Sequence, residues 1–150
     1  MTFKLSQRSL GNLEGVDERL VKVVKRAIEL TKTDFAVIEG LRTVERQREL
    51  VNKGASHTMD SKHVQGKAVD LMAYIGTRAS WELNLYDDLA DAMKAAAIEM
   101  DVAIRWGGAW TVKDIRRWQG TMESAMNNYV DRCRANKRRP FIDGPHFELS

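Results

Sequence analysis

A carboxylate set inside an apolar strand constrains this chain more than any other feature. Ala68-Val69-Asp70-Leu71-Met72-Ala73-Tyr74 reads as a strand, mostly apolar and therefore central in its sheet. An unpaired carboxylate there would be costly, so the fold must bring Asp70 a cation, either a metal or a buried arginine. Only three histidines are present. Two fall in telling places: His63 in Ser61-Lys62-His63-Val64-Gln65-Gly66, and His146 in Asp143-Gly144-Pro145-His146. Two His and one Asp, with a further carboxylate close by, form the ligand set of a catalytic zinc site that leaves one position for water. That composition points to a zinc hydrolase. Gly66 permits the tight backbone path that convergence of His63 and Asp70 requires. Taken singly, His63 and His146 also fit surface histidines, and Asp70 a strand-end carboxylate.

The chain has 150 residues, enough for one domain spanning 1–150 with a core that needs no disulfide. Its single cysteine, Cys133, excludes an intramolecular disulfide and a thiolate metal cluster, and falls on the inner side of a helix as a packing residue. No apolar run reaches the roughly 20 residues of a membrane span. The stretch Met1 to Arg8 lacks the apolar segment of a secretory signal, so synthesis in the cytoplasm is expected. A net charge of +3 and a pI near 9.1 suit an anionic partner without choosing among cell wall, nucleic acid and membrane surface.

Hydrophobic spacing predicts a helix over Asp17 to Leu30, capped by Asp17, then a short strand from Phe35 to Glu39. Thr43 caps a second helix that runs through Val51 and closes at Gly54. After a polar loop from Ala55 to Lys62 comes the Asp70 strand. A helix follows Asn84, a strand covers Val102 to Trp106, a helix covers Thr121 to Ala135, and a last strand runs from Phe147 to Leu149 with His146 at its mouth. Helices and strands alternate without a βαβ rhythm, which predicts an α+β fold: a small, largely antiparallel sheet flanked by helices, with the zinc site at the sheet.

Hydrolysis needs a general base. Asp143 lies three residues before His146 across a Gly-Pro turn, and Glu148 competes because alternate strand residues share a face. Glu148 also fits a strand-end salt bridge. Arg42, just after Gly40-Leu41, could hold a carbonyl oxygen as it gains charge or grip a substrate carboxylate, and fits a solvated helix-start residue equally well.

Ser61-x-His63-x-x-Gly66-x-Ala68-x-Asp70 followed by Asp143-x-x-His146 resembles the zinc peptidases related to D-Ala-D-Ala dipeptidases and carboxypeptidases. Within them it looks most like phage endolysins of the L-alanyl-D-glutamate endopeptidase type. The likeness covers most of the chain, including Phe3-Lys4-Leu5-Ser6, Gly40-Leu41-Arg42-Thr43-Val44 and Asp143 to Leu149. It implies that His63, Asp70 and His146 hold Zn2+, that Asp143 is the base, that Arg42 steadies the oxyanion or a substrate carboxylate, and that Ser61 positions substrate. A lysis role fits the missing signal segment: the protein is expected to wait in the host cytoplasm as a monomer and reach peptidoglycan once the membrane is opened, with no membrane insertion and no nucleic acid partner expected. The lack of a separate wall-binding module fits a Gram-negative host.

Many relatives carry Glu where this chain has Asp143, and the endolysin branch accepts Asp. One departure matters. Some endolysins carry an acidic, calcium-responsive loop, where this chain has a basic, helical insertion over Ala109 to Arg139 that lacks the Asp pattern of a calcium site. That insertion is either a solvated helix face or a contact to the anionic envelope. Trp106, Trp110 and Trp118 either line a substrate cleft or pack in the core. A D-Ala-D-Ala carboxypeptidase or dipeptidase is the rival enzyme, and a non-catalytic cell-wall-binding module the rival of another class.

Overall fold

The computed structural model describes residues 2–56 and 58–150. Eleven segments follow in order: α1 Gln7–Asn12, α2 Glu18–Leu30, β1 Asp34–Glu39, α3 Val44–Asn52, β2 Ala68–Ile75, β3 Arg78–Ser80, α4 Leu83–Met100, β4 Ile104–Trp106, a 3-10 turn Ile115–Arg117, α5 Met122–Ala135 and β5 His146–Leu149. The fold is α+β, with an antiparallel sheet in the order β1-β2-β5-β4 and β3 paired with the end of β2.

The predicted caps form as read. Asp17 accepts from the Arg19 amide at 2.9 Å and Thr43 from the Arg46 amide at 3.0 Å, each satisfying a free N–H of its helix's first turn. Three elements escaped the reading: α1, the β3 hairpin return and the 3-10 turn. Each is too short to carry a periodic apolar signal. The basic insertion is helical only from Met122, because Ala109 to Gly120 is turns around one 3-10 segment. His146 lies within the last strand rather than before it, since it pairs with Asp70.

Strand alternation sorts the sheet into two faces. Val69, Leu71 and Ala73 of β2, Phe147 and Leu149 of β5, and Ile104 and Trp106 of β4 turn into one hydrophobic core with α2 and α4. Asp70, His146 and Glu148 occupy the alternate positions and so share the opposite face. In β1 the register shifts between Val37 and Glu39, so that Glu39 sits opposite Asp70. That bulge re-aims a carboxylate toward the site face.

Cys133 is buried in the core, as read. Of the tryptophans, Trp106 is fully buried and its indole N–H donates to the Gly144 carbonyl at 2.7 Å. Trp118 packs against the core edge, and Trp110 faces the cleft described below.

One core-facing group is at odds with its surroundings. Asp87 of α4 is 8% exposed, and its Oδ1 has no hydrogen-bond partner among the described residues. Burial, joined by the charges of Glu123, Asp91 and Asp88, pushes its pKa up to about 6. Below about pH 6 the fold holds Asp87 protonated, and this group's own contribution to stability is fullest below the unfolded pKa of about 3.9 and is lost as pH rises through about 6. Asp87→Asn should therefore be near-neutral at pH 4 and stabilising by on the order of 1–2 kcal/mol at pH 8. Paired calorimetric melts at the two pH values check this, and a difference that does not grow with pH would refute it.

Candidate metal centre

The site begins with one cross-strand pair. Asp70 and His146 are direct partners in the β2–β5 ladder, which brings His146 Nδ1 to 3.3 Å from Asp70 Oδ1. His63 enters from the loop before β2, its Nε2 3.2 Å from the same oxygen. One ligand atom from each of the three residues lies within 4.8 Å of the others. The imidazoles meet edge to face, with centroids 5.2 Å apart.

The His63 loop is pinned along its length. The Arg42 amide donates to the His63 carbonyl at 2.9 Å, the Asp17 amide to the Gly66 carbonyl at 2.8 Å, and the His63 amide to Ser61 Oγ at 3.2 Å. Gly66 has φ +70°, and a Cβ there would meet the Gly15 carbonyl oxygen at 2.7 Å. Both observations bear out the tight turn read from the sequence.

Each imidazole has its far nitrogen occupied. His63 Nδ1 lies 2.9 Å from the Gly40 carbonyl, an acceptor only, so that nitrogen carries the proton and Nε2 presents a lone pair inward. His146 Nε2 lies 2.8 Å from Glu148 Oε1, which leaves Nδ1 as the inward nitrogen. Two imidazoles with their outer nitrogens hydrogen-bonded, and a carboxylate, all aimed at one point, fit a divalent metal of the zinc type, which would take the inner nitrogens once they are free of protons. This cluster could bind a metal.

Charges follow from this geometry. Burial would raise the Asp70 carboxyl, but hydrogen bonds from His146 and His63 outweigh it and hold the group well below the usual carboxylate range. Burial would lower His146, yet hydrogen bonds to Asp70 and Glu148 push it up to about 9. A proton and a metal ion thus compete for the same inward nitrogen. For Asp143, burial and the negative charge of Asp70 raise the pKa, partly offset by His146, His63 and Arg42.

Asp143 and His146 form a turn clamped to the end of β4. The Asp143 amide donates to the Gly107 carbonyl at 2.9 Å, and the Gly107 amide to the His146 carbonyl at 2.8 Å. A Cβ on Gly107 would meet the Asp143 carbonyl oxygen at 2.3 Å. Only glycine allows this approach, and the approach sets where the Asp143 carboxylate stands. Asp143, Ser61, Arg42 and the three-residue cluster all line one cleft of about 450 Å³. All six residues singled out in the sequence therefore meet.

Arg42 is less free than the sequence implied. Its guanidinium grips Glu39 through Nε at 2.6 Å and Nη2 at 2.8 Å, and donates to Gln47 Oε1 at 2.7 Å. It still reaches within 4.0 Å of Asp70 Oδ2. Glu39 and Gln47 were missed: the bulge that places Glu39 has no sequence signature, and Gln47 reads as a polar helix residue although it is fully buried. The far wall is Trp110, stacked on Phe141 and tilted against His146 at 5.6 Å.

The sequence model of the phage L-alanyl-D-glutamate peptidases matches residues 1–150. The chain belongs to this family. It is similar to the L-alanyl-D-glutamate peptidase of Escherichia phage T5, 31% identical over 153 residues and covering 99% of both chains. It is also similar to the L-alanyl-D-glutamate peptidase of Listeria phage A118, 28% identical over 114 residues, which is 74% of this chain and 40% of that protein. Among solved structures, the Serratia marcescens L-Ala D-Glu endopeptidase ChiX superposes with a TM-score of 0.74 at 35% identity, over 99% of this chain and 91% of its own.

For this family member, the Glu148–His146 contact has a measurable consequence. Glu148→Ala should weaken metal affinity by about 10–100-fold, and Glu148→Gln, which keeps an acceptor, by less. Competitive metal titration against a chelating dye reads both, and equal affinities across the series would refute an orienting role.

Proposed function

We propose that this chain is a zinc-dependent endopeptidase that hydrolyses the L-Ala–D-Glu bond of peptidoglycan stem peptides. The reading is supported by one observation: the side chains of His63, Asp70 and His146 converge with the outer nitrogen of each imidazole hydrogen-bonded, so that the inner nitrogen faces the common point. The substrate is inferred from the activity of the family and of its relatives.

We assign His63, Asp70 and His146 as the zinc ligands, within one catalytic unit spanning residues 1–150. Zinc held there would polarise the scissile carbonyl and acidify a water beside it. Asp143 is the general base in this assignment. Its raised pKa suits a group that takes a proton from the attacking water and returns it to the leaving amine. Glu148 is set aside as base because its Oε1 is engaged by His146 Nε2. Arg42, oriented by Glu39 and Gln47, offers positive charge to the carbonyl oxygen or to a substrate carboxylate. Ser61 at the cleft positions the peptide. None of the helices among the described residues is long and apolar enough to cross a membrane. We place the protein in the host cytoplasm as a monomer until the membrane is opened and the wall becomes accessible.

The test is mass spectrometry of Gram-negative peptidoglycan treated with the zinc-loaded protein, alongside a chelated control. New peptides beginning at D-Glu, formed only with metal, are expected. No new termini with zinc present would discard the reading in favour of a wall-binding module. Asp143→Asn should keep its zinc and lose about 10²–10⁴ in kcat. Full turnover in that variant would move the base elsewhere.

A further inference from the structure

A second cavity, of about 510 Å³, opens behind Trp110. Its lining includes Arg105, Lys113, Arg132, Arg138 and Arg139 and, among the described residues, no carboxylate. These cations come from separate places in the fold. Arg105 is on β4, Arg132 on α5, Lys113 in the loop before the 3-10 turn, and Arg138 and Arg139 follow α5. A solvated helix face would gather charge along one element, whereas here several elements aim it at one hollow. The ion pairs of the neighbouring surface belong to Arg116 and Arg117, which are bound to Asp114, and not to these five. Like charges collected around a hollow repel one another and favour entry of an anion.

The hollow is joined to the catalytic cleft by a shared wall. Trp110 lines both. Its ring lies 5.6 Å from that of His146 in the cleft, and the guanidinium of Arg105, which lines the hollow, sits 5.2 Å from its centroid. Arg105 Nε also donates to the Trp110 carbonyl at 3.1 Å, which holds the cation at this junction. A ligand long enough to leave the cleft past Trp110 meets the cations next.

We propose that this cavity seats the carboxylates of the stem peptide on the D-Glu side of the scissile bond. The proposal rests on the bond assigned above. On the L-Ala side the peptide joins the glycan through a neutral amide. On the other side D-Glu continues through its γ-carboxyl, so its α-carboxylate is free, and the residues after it add more. Anionic groups thus lie on one side only, and a cationic hollow at one end of the cleft fixes which way the peptide runs. Guanidinium groups suit this task because they grip carboxylates with two donors.

The test compares the wild type with Arg132→Gln/Arg138→Gln, two exposed positions. The probes are L-Ala-γ-D-Glu-diaminopimelate, the same peptide with its D-Glu-side carboxylates amidated, and the product γ-D-Glu-diaminopimelate. For the free-acid peptide, KM should rise about tenfold with kcat within about twofold. The product's Kd by calorimetry should weaken in parallel, and the amidated peptide should be insensitive to the substitutions. If the double variant does not fold, Arg139→Gln should shift KM and Kd the same way by less. Unchanged KM and product Kd, or an equal loss with the amidated peptide, would overturn the proposal. So would inorganic phosphate competing as well as the product, which would make the hollow a general anion seat. Product binding lost in the variant, without cleavage of L-Ala–D-Glu by the wild type, would overturn the scissile-bond assignment and sustain the cavity.

Discussion

The pairing of Asp70 with His146 across the β2–β5 ladder is the constraint on which the rest of the site depends. Side chains alternate along a strand, so a slip of one residue would carry Asp70 or His146 into the core and Val69 or Phe147 out of it. The apolar sets Val69-Leu71-Ala73 and Phe147-Leu149 forbid that slip by their burial. Core packing on one face thereby fixes the donor geometry on the other. The same register delivers Glu148 two residues on, to hold the outer nitrogen of His146.

Around this pair the protein supports polar groups from behind. The Gly40 carbonyl orients His63, Glu148 orients His146, and Glu39 with buried Gln47 orients Arg42. Gln47 also donates to Ser56 Oγ and the Thr58 carbonyl, which ties the loop at the cleft rim to the same helix. Rigid placement of this kind matters because metal binding and transition-state stabilisation both depend on positions set before substrate arrives. The Gly107 approach performs the same service for Asp143 through backbone bonds alone.

The charge distribution divides the working face. Glu39, Asp70 and Asp143 line the cleft with Arg42 and Arg46, and guanidinium groups that form no salt bridge among the described residues gather behind Trp110. The stacked rings of Trp110 and Phe141 stand between the two. Phe141 is 63% exposed, and its backbone is tied to Tyr129 and Trp110, so the wall is held from the α5 side as well. A mixed-charge cleft on one side of the ring and an all-cationic hollow on the other give a binding surface polarity along its length.

Sequence alone determined the α+β class and the main helices with their Asp17 and Thr43 caps, and it singled out His63, Asp70, Asp143 and His146, which the fold gathers in one cleft. These are local or compositional signals: periodicity, cap chemistry and a carboxylate stranded in an apolar strand. Only tertiary structure decided that His146 sits inside its strand opposite Asp70, that Glu148 binds an imidazole, and that Arg42 is engaged by Glu39 and Gln47. The same holds for the gathering of Arg105, Lys113, Arg132 and Arg138 around one hollow. Each of these depends on strand register, a bulge or contacts between distant segments. Such contacts are set by how the whole core packs, and no short stretch of sequence encodes them.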